Sequence, residues 1–131
     1  MSRGTVLVTD DSPDIRALVR LWLTAAGFTV VEAANGQDAV RLAHQHHPSV
    51  ILLDLCLPGM HGLDVAAHIR SEPALENTPI LIMSGYTMQP AIRAAKIAGC
   101  YGFIAKPFDL ESVTRQVIVL ATPASRAVNH A

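Results

Sequence analysis

Charge and cysteine are both scarce in this chain. Of 131 residues only 16% are Asp, Glu, Lys or Arg, and 10 basic against 11 acidic side chains leave a net charge of -1. That balance leaves no basic stripe with which to grip nucleic acid directly. With half of the residues hydrophobic, it also argues against a disordered chain. Two cysteines, Cys56 and Cys100, are too few for a disulfide framework. No apolar run approaches the roughly 18 residues that a membrane span needs. The start, Met1-Ser2-Arg3-Gly4, leads directly into a strand pattern rather than a leader sequence. Internal repeats and low-complexity segments are absent as well. What is left is one domain, large enough to bury a core without covalent staples, with the cytoplasm as its expected compartment and no membrane partner.

Apolar runs of strand length alternate with segments of helical period. Thr5–Thr9 reads as the first strand, and Ser12-Pro13 supplies an N-cap followed by proline at N1. Ile15, Leu18, Val19, Trp22 and Leu23 then form an amphipathic stripe that Gly27 ends at a C′ position. Phe28–Glu32 is the second expected strand and 36–46 the second helix, with Val40, Leu42 and Ala43 inward. Asn35-Gly36 is a hairpin signal in isolation, but the period that follows makes it a helix start. Val50–Leu53, Ile80–Met83 and Gly102–Ala105 are the remaining strands, with helices expected at about 63–70 and 90–98. Asp109 is placed to cap the last helix, with Phe108 at N′ stapling onto Val113 at N4. Five βα units with almost continuously apolar strands predict an α/β fold, a doubly wound parallel sheet covered on both faces. The expected domain spans residues 1–121, and 122–131 is a tail or linker stub.

Four polar landmarks fall at the ends of these strands: Asp10-Asp11, Asp54, Ser84 and Lys106-Pro107. All strands of a parallel sheet end on one edge, so groups far apart in sequence converge there. Three carboxylates, a hydroxyl and an ammonium in one pocket suit a divalent cation together with a phosphoryl group. Singly, each has a plainer explanation. Paired aspartates are common as solvated loop acids, Ser84 beside Gly85 fits a turn, and Lys106 fits a solvated surface. Their coincidence points to chemistry. His44, His46 and His47 also cluster, but they close a helix, where cationic side chains suit its dipole.

The landmarks sit in the motifs Val8-Thr9-Asp10-Asp11-Ser12, Leu53-Asp54-Leu55-Cys56-Leu57-Pro58-Gly59-Met60-His61-Gly62, Pro79–Gly85 and Phe103-Ile104-Ala105-Lys106-Pro107-Phe108. In this order and spacing the chain resembles the receiver domain of two-component response regulators, chemotaxis-regulator-like, over about residues 5–121. The resemblance implies a flavodoxin-like (βα)5 domain of sheet order 2-1-3-4-5. It implies Asp54 as phosphoacceptor, with Asp10, Asp11, Asp54 and the Cys56 backbone carbonyl holding Mg²⁺. Lys106 and Ser84 would bind the phosphoryl group, and Ser84 and Phe103 would form the conformational switch. Implied partners are a sensor histidine kinase or histidine phosphotransfer protein and an output partner read through the fourth helix, fifth strand and last helix. The chain would be a monomer or weak homodimer that acts as a signalling switch, not as an enzyme, beyond assisting its own phosphorylation and dephosphorylation. A cis Lys106–Pro107 bond is also implied. Two positions depart from the pattern. His61 stands where an acid is usual, and Tyr101-Gly102 replaces the acids often found before the switch aromatic, which removes support for a charged dimer interface.

Other readings start from the same layout. A phosphorelay intermediate, or a receiver excised from a transcription factor or hybrid kinase, would share every landmark. A flavin binder needs a hydroxyl-rich phosphate loop after the first strand, where Asp10-Asp11 instead repel phosphate. A phosphatase with an aspartate nucleophile wants a second carboxylate two residues on, where this chain has Cys56.

Overall fold

The computed structural model describes residues 3–55, 57–84, 102–105 and 108–122, without the side chains of 84, 103 and 105. Strands β1 (Thr5–Thr9), β2 (Thr29–Ala33), β3 (Val50–Asp54), β4 (Ile80–Ser84) and β5 (Gly102–Ala105) form one sheet in the order β2-β1-β3-β4-β5. Every adjacent pair is parallel, as the apolar runs and the resemblance both predict. Helices α1 (Pro13–Ala25), α2 (Gly36–His46) and α3 (Gly62–Arg70), with a C-terminal helix (Leu110–Ala121), supply the cover. The helix expected at about 90–98, the Lys106–Pro107 bond and most of the C-terminal tail lie outside the described residues.

Strand alternation divides the core in two. Leu7, Ile51, Leu53, Ile80 and Ile82 pack with Ala39, Ala43, Val65, Ala66 and Ile69 of α2 and α3. Their neighbours Val6, Val8, Leu52, Leu81 and Met83 pack with Val19, Leu23, Val113 and Val117 of α1 and the C-terminal helix. β3 is buried along its whole length, as befits a central strand covered on both faces.

Local chemistry sets the boundaries. Ser12 caps α1, its hydroxyl accepting from the Ile15 N–H at 3.3 Å, with Pro13 at N1. At the far end the Phe28 N–H donates to the Leu23 carbonyl and the Gly27 N–H to that of Thr24. Gly27 has φ 103°, which completes a Schellman closure. This explains why β2 starts one residue later than expected: the Phe28 amide is spent on α1, and Ala33 pairs with Thr9. Asn35 caps α2 through the Asp38 N–H at 2.8 Å, so Asn35-Gly36 does open a helix. The Asp109 carboxylate accepts from the Glu111 N–H at the start of the C-terminal helix. Phe108 packs against the cluster holding Val113, as a staple requires.

Three details differ from expectation. The α1 stripe is narrower, since Leu18 and Trp22 stay 50% and 41% exposed while Val19 and Leu23 are buried. α3 begins at Gly62, because the His61 imidazole Nδ1 accepts from the Leu63 N–H and acts as its cap. A short 3-10 turn at Pro73–Leu75 links α3 to β4, and Arg70 donates to its Leu75 carbonyl at 2.9 Å.

Candidate functional site

Register brings the acids together. Thr9 of β1 lies opposite Leu53 of β3, so the residues that follow, Asp10 just past β1 and Asp54 at the end of β3, emerge side by side at the carboxyl edge of the sheet. Asp11 follows on the loop into α1. One carboxylate oxygen from each of the three lies within 4.8 Å of the others. Asp10 is fully buried and Asp54 only 5% exposed, whereas Asp11 faces solvent.

Asp10 is held on several sides. Its N–H donates to the Ala33 carbonyl at 3.1 Å, and its Oδ1 accepts from the Ser12 N–H at 2.9 Å. Its own carbonyl accepts from Arg16 Nη1 at 2.7 Å. Behind Asp54, the Gly62 N–H donates to the Leu55 carbonyl at 2.9 Å. A Cβ at Gly62 would strike the Asp54 carbonyl oxygen and come within 2.7 Å of the Leu55 Cα. Only glycine lets α3 start directly against the acid-bearing backbone.

Two buried carboxylates with oxygens within 4.8 Å of one another repel by at least about 3.5 kcal/mol at an effective dielectric of about 20. An all-oxygen donor set under such repulsion fits a hard divalent cation such as Mg²⁺. The same set would reject a soft metal. A histidine site is not formed: His44, His46 and His47 are exposed, and among the described residues the three aspartates are the one metal-competent group.

The other predicted positions divide by what the structure describes. Ser84 closes β4 opposite Ala105 of β5, and Asp54 lies opposite Met83 on the neighbouring strand. The Ser84 backbone therefore shares the acids' edge. Phe103 lies on β5 opposite Ile82. The side chains of Ser84 and Phe103, with Cys56, Lys106 and Pro107, lie outside the described residues. Arg16 is a contact that the pattern of apolar runs did not single out. The available cue was Glu32, an acid at the end of the apolar run Val30-Val31, whose Oε1 accepts from Arg16 Nε at 3.2 Å.

The chain is similar to known proteins. The family model described as response regulator receiver domain matches residues 6–118. The transcriptional regulatory protein KdpE of Mycobacterium tuberculosis is 37% identical over 106 residues, 81% of this chain and 46% of that protein. The chain thus spans about half the length of that regulator. The polar-differentiation response regulator DivK of Brucella ovis is 27% identical over 84% of this chain and 89% of its own length. Among solved structures, the chemotaxis response regulator CheY4 of Vibrio cholerae superposes with a TM-score of 0.85 at 31% identity, covering 89% of this chain and 98% of that one. Motif order, sheet topology and these likenesses agree: the chain belongs to the response regulator receiver domain family of two-component systems.

Proposed function

We propose that Asp54 is the phosphoacceptor of this receiver domain, taking a phosphoryl group from a phosphohistidine on a sensor histidine kinase or histidine phosphotransfer protein. The observation that carries this reading is the convergence of Asp10, Asp11 and Asp54 within 4.8 Å, with Asp54 on the central strand. A carboxylate oxygen of Asp54 attacks phosphorus, the P–N bond to imidazole breaks, and the electron pair leaves with the imidazole. The product is an aspartyl phosphate.

Asp10, Asp11 and Asp54 would hold Mg²⁺, with the Cys56 carbonyl as a further oxygen donor. When bound, the ion supplies positive charge against the carboxylates and the phosphoryl oxygens. Asp54 is the nucleophile because it ends the central strand between β1 and β4. Ser12 of the β1–α1 turn and Ala33 at the end of β2 hold Asp10. Asp11, exposed, marks the side from which a donor approaches. Lys106 is assigned to a phosphoryl oxygen as a point cation, and Ser84 to another through its hydroxyl. Motion of Ser84 toward the phosphate, with Phe103 turning inward, would alter the surface around β5 and the C-terminal helix. A partner reads that surface. Such a response is a shift between states already present.

Residues 1–121 are assigned to this one domain, and the cytoplasm to its site of action. No described helix is long and apolar enough to cross a membrane. Similarity both to a regulator about twice its length and to DivK along most of its length supports a module whose output comes through contact with a partner. Incubation with Mg²⁺ and acetyl phosphate should add the mass of one phosphoryl group. Asp11→Ala should abolish the gain by removing a cation ligand. An equal gain in Asp54→Ala would overturn the assignment.

A further inference from the structure

The Asp10 carbonyl belongs to the peptide that joins Asp10 to Asp11. That unit is planar, so holding its oxygen restrains the placement of both Cα atoms from which the acids leave the backbone. Arg16 Nη1 donates to this oxygen at 2.7 Å from one turn into α1. Arg16 is itself fixed from behind: its Nε donates to Glu32 Oε1 at 3.2 Å. Glu32 Oε2 in turn accepts from Arg20 Nη1 at 3.2 Å. Glu32 lies on the edge strand β2 opposite Val8, two residues before the acids. A chain of contacts therefore runs from the outer face of α1, through β2, to the acid pair.

Burial ranks its links. The Arg16 side chain is 17% exposed and that of Arg20 62%. The inner guanidinium is thus largely withdrawn from water and makes charge-assisted bonds in two directions, whereas the outer pair is of the solvent-screened kind that contributes little. Serving a carbonyl and a carboxylate at once takes the rigid fork of arginine. A lysine ammonium cannot span both in the same geometry.

We propose that Arg16, oriented by Glu32, is a positioning residue that presets Asp10 and Asp11 for the divalent cation. The proposal rests on the reading of Asp10, Asp11 and Asp54 as cation ligands. An opposing effect sharpens it. The guanidinium is a positive charge close to the site and repels a dication. If its charge were its main influence, removing Arg16 would tighten cation binding. If it sets geometry, removal weakens binding, because the acids must then be ordered by the ion. Partners that orient metal ligands commonly change metal affinity about 10–100-fold, and a contact to backbone in a half-open site belongs at the lower end.

The test is calorimetric titration of the intact chain with Mg²⁺, beside urea melts that confirm each variant is folded. Arg16→Ala should weaken binding about tenfold, and Arg16→Lys should not restore it. Glu32→Gln, which keeps the guanidinium charge but loosens its orientation, should also weaken binding, and Arg20→Ala should leave it unchanged. Phosphorylation from acetyl phosphate should be slow in Arg16→Ala at low Mg²⁺ and recover at saturating Mg²⁺. A lowered melting midpoint with unchanged Mg²⁺ affinity in both Arg16→Ala and Glu32→Gln would make the network merely structural and overturn the proposal, as would tighter binding. Asp11→Ala separates the two levels of inference. Saturable binding in the unsubstituted chain that Asp11→Ala abolishes upholds the acid site whatever Arg16 does. No saturable binding at all overturns the acid-site reading and this proposal with it.

Discussion

Gly62→Ala places one methyl group where the backbone of α3 meets the backbone of the acid-bearing strand. Gly62 has no positive φ, so the substitution carries no conformational strain of its own. In helical conformation, alanine is favoured over glycine by about 0.5–1 kcal/mol, and by less than that at the first position of a helix. Against this, the new Cβ would meet the Asp54 carbonyl oxygen and lie 2.7 Å from the Leu55 Cα. Both are main-chain atoms, one at the end of the buried central strand and one just past it, and cannot turn aside as a flexible side chain would. Overpacking of this kind costs about 1–3 kcal/mol, and strain against backbone belongs in the upper part. The net expectation is a loss of about 2 kcal/mol, with the displacement falling on Asp54 itself. Gly59→Ala is the control. At φ 78°, with no heavy atom within 4 Å of an added Cβ, it carries a backbone cost alone, about 1–2 kcal/mol, with no clash against the acid-bearing backbone. Urea denaturation followed by circular dichroism should show both variants destabilised. Phosphorylation by acetyl phosphate, measured where both remain folded, should be slowed only in Gly62→Ala. A Gly62→Ala chain as stable and as readily phosphorylated as the parent would refute the close-approach argument.

Two further perturbations test the reading of the fold. The Thr9 hydroxyl is fully buried and has no hydrogen-bond partner among the described residues, so the isosteric Thr9→Val should be neutral or stabilising by up to about 1 kcal/mol in a urea melt; a loss above that would reveal a partner for the hydroxyl. His47 closes α2 at φ 45°, a conformation that costs a side-chain-bearing residue about 1–2 kcal/mol. His47→Gly should therefore raise stability by about 0.5–1 kcal/mol after the extra unfolded-state freedom of glycine is subtracted, and a drop in the melting midpoint would show that the imidazole contributes more than the strain removes.

Much of the fold was legible because its signals are local. Ser12-Pro13, Gly27 and Asp109 mark helix ends by capping chemistry that needs no tertiary contact, and each stands where the structure uses it. The apolar runs of β1, β3 and β4 are buried on both faces, which short sequence windows express directly. The convergence of Asp10, Asp11 and Asp54 followed from topology alone, since parallel strands bring their carboxyl ends to one edge. What escaped depends on partners. The start of β2 moved because Phe28 gives its amide to α1, a choice made by the Schellman closure rather than by propensity. Trp22 and Leu18 fit the helical stripe but lie at its margin, where the sheet does not reach. Arg16 and Glu32 are 16 residues apart, and the acid that ends the Val30-Val31 run does not by itself name its partner. Only the β1–β2 register, with Glu32 beside Val8, brings them to one place.

The central claim is that Asp54, of the three converged acids, is the one that carries phosphate. The most direct measurement is chemical trapping: load the chain with acetyl phosphate and Mg²⁺, reduce with borohydride, which converts an aspartyl phosphate to homoserine, and locate the converted residue by peptide mass mapping. Conversion at Asp54 alone, dependent on Mg²⁺ and lost in Asp11→Ala, is the predicted result. Conversion at Asp10 or Asp11, or none in a chain that has gained phosphate, would contradict it.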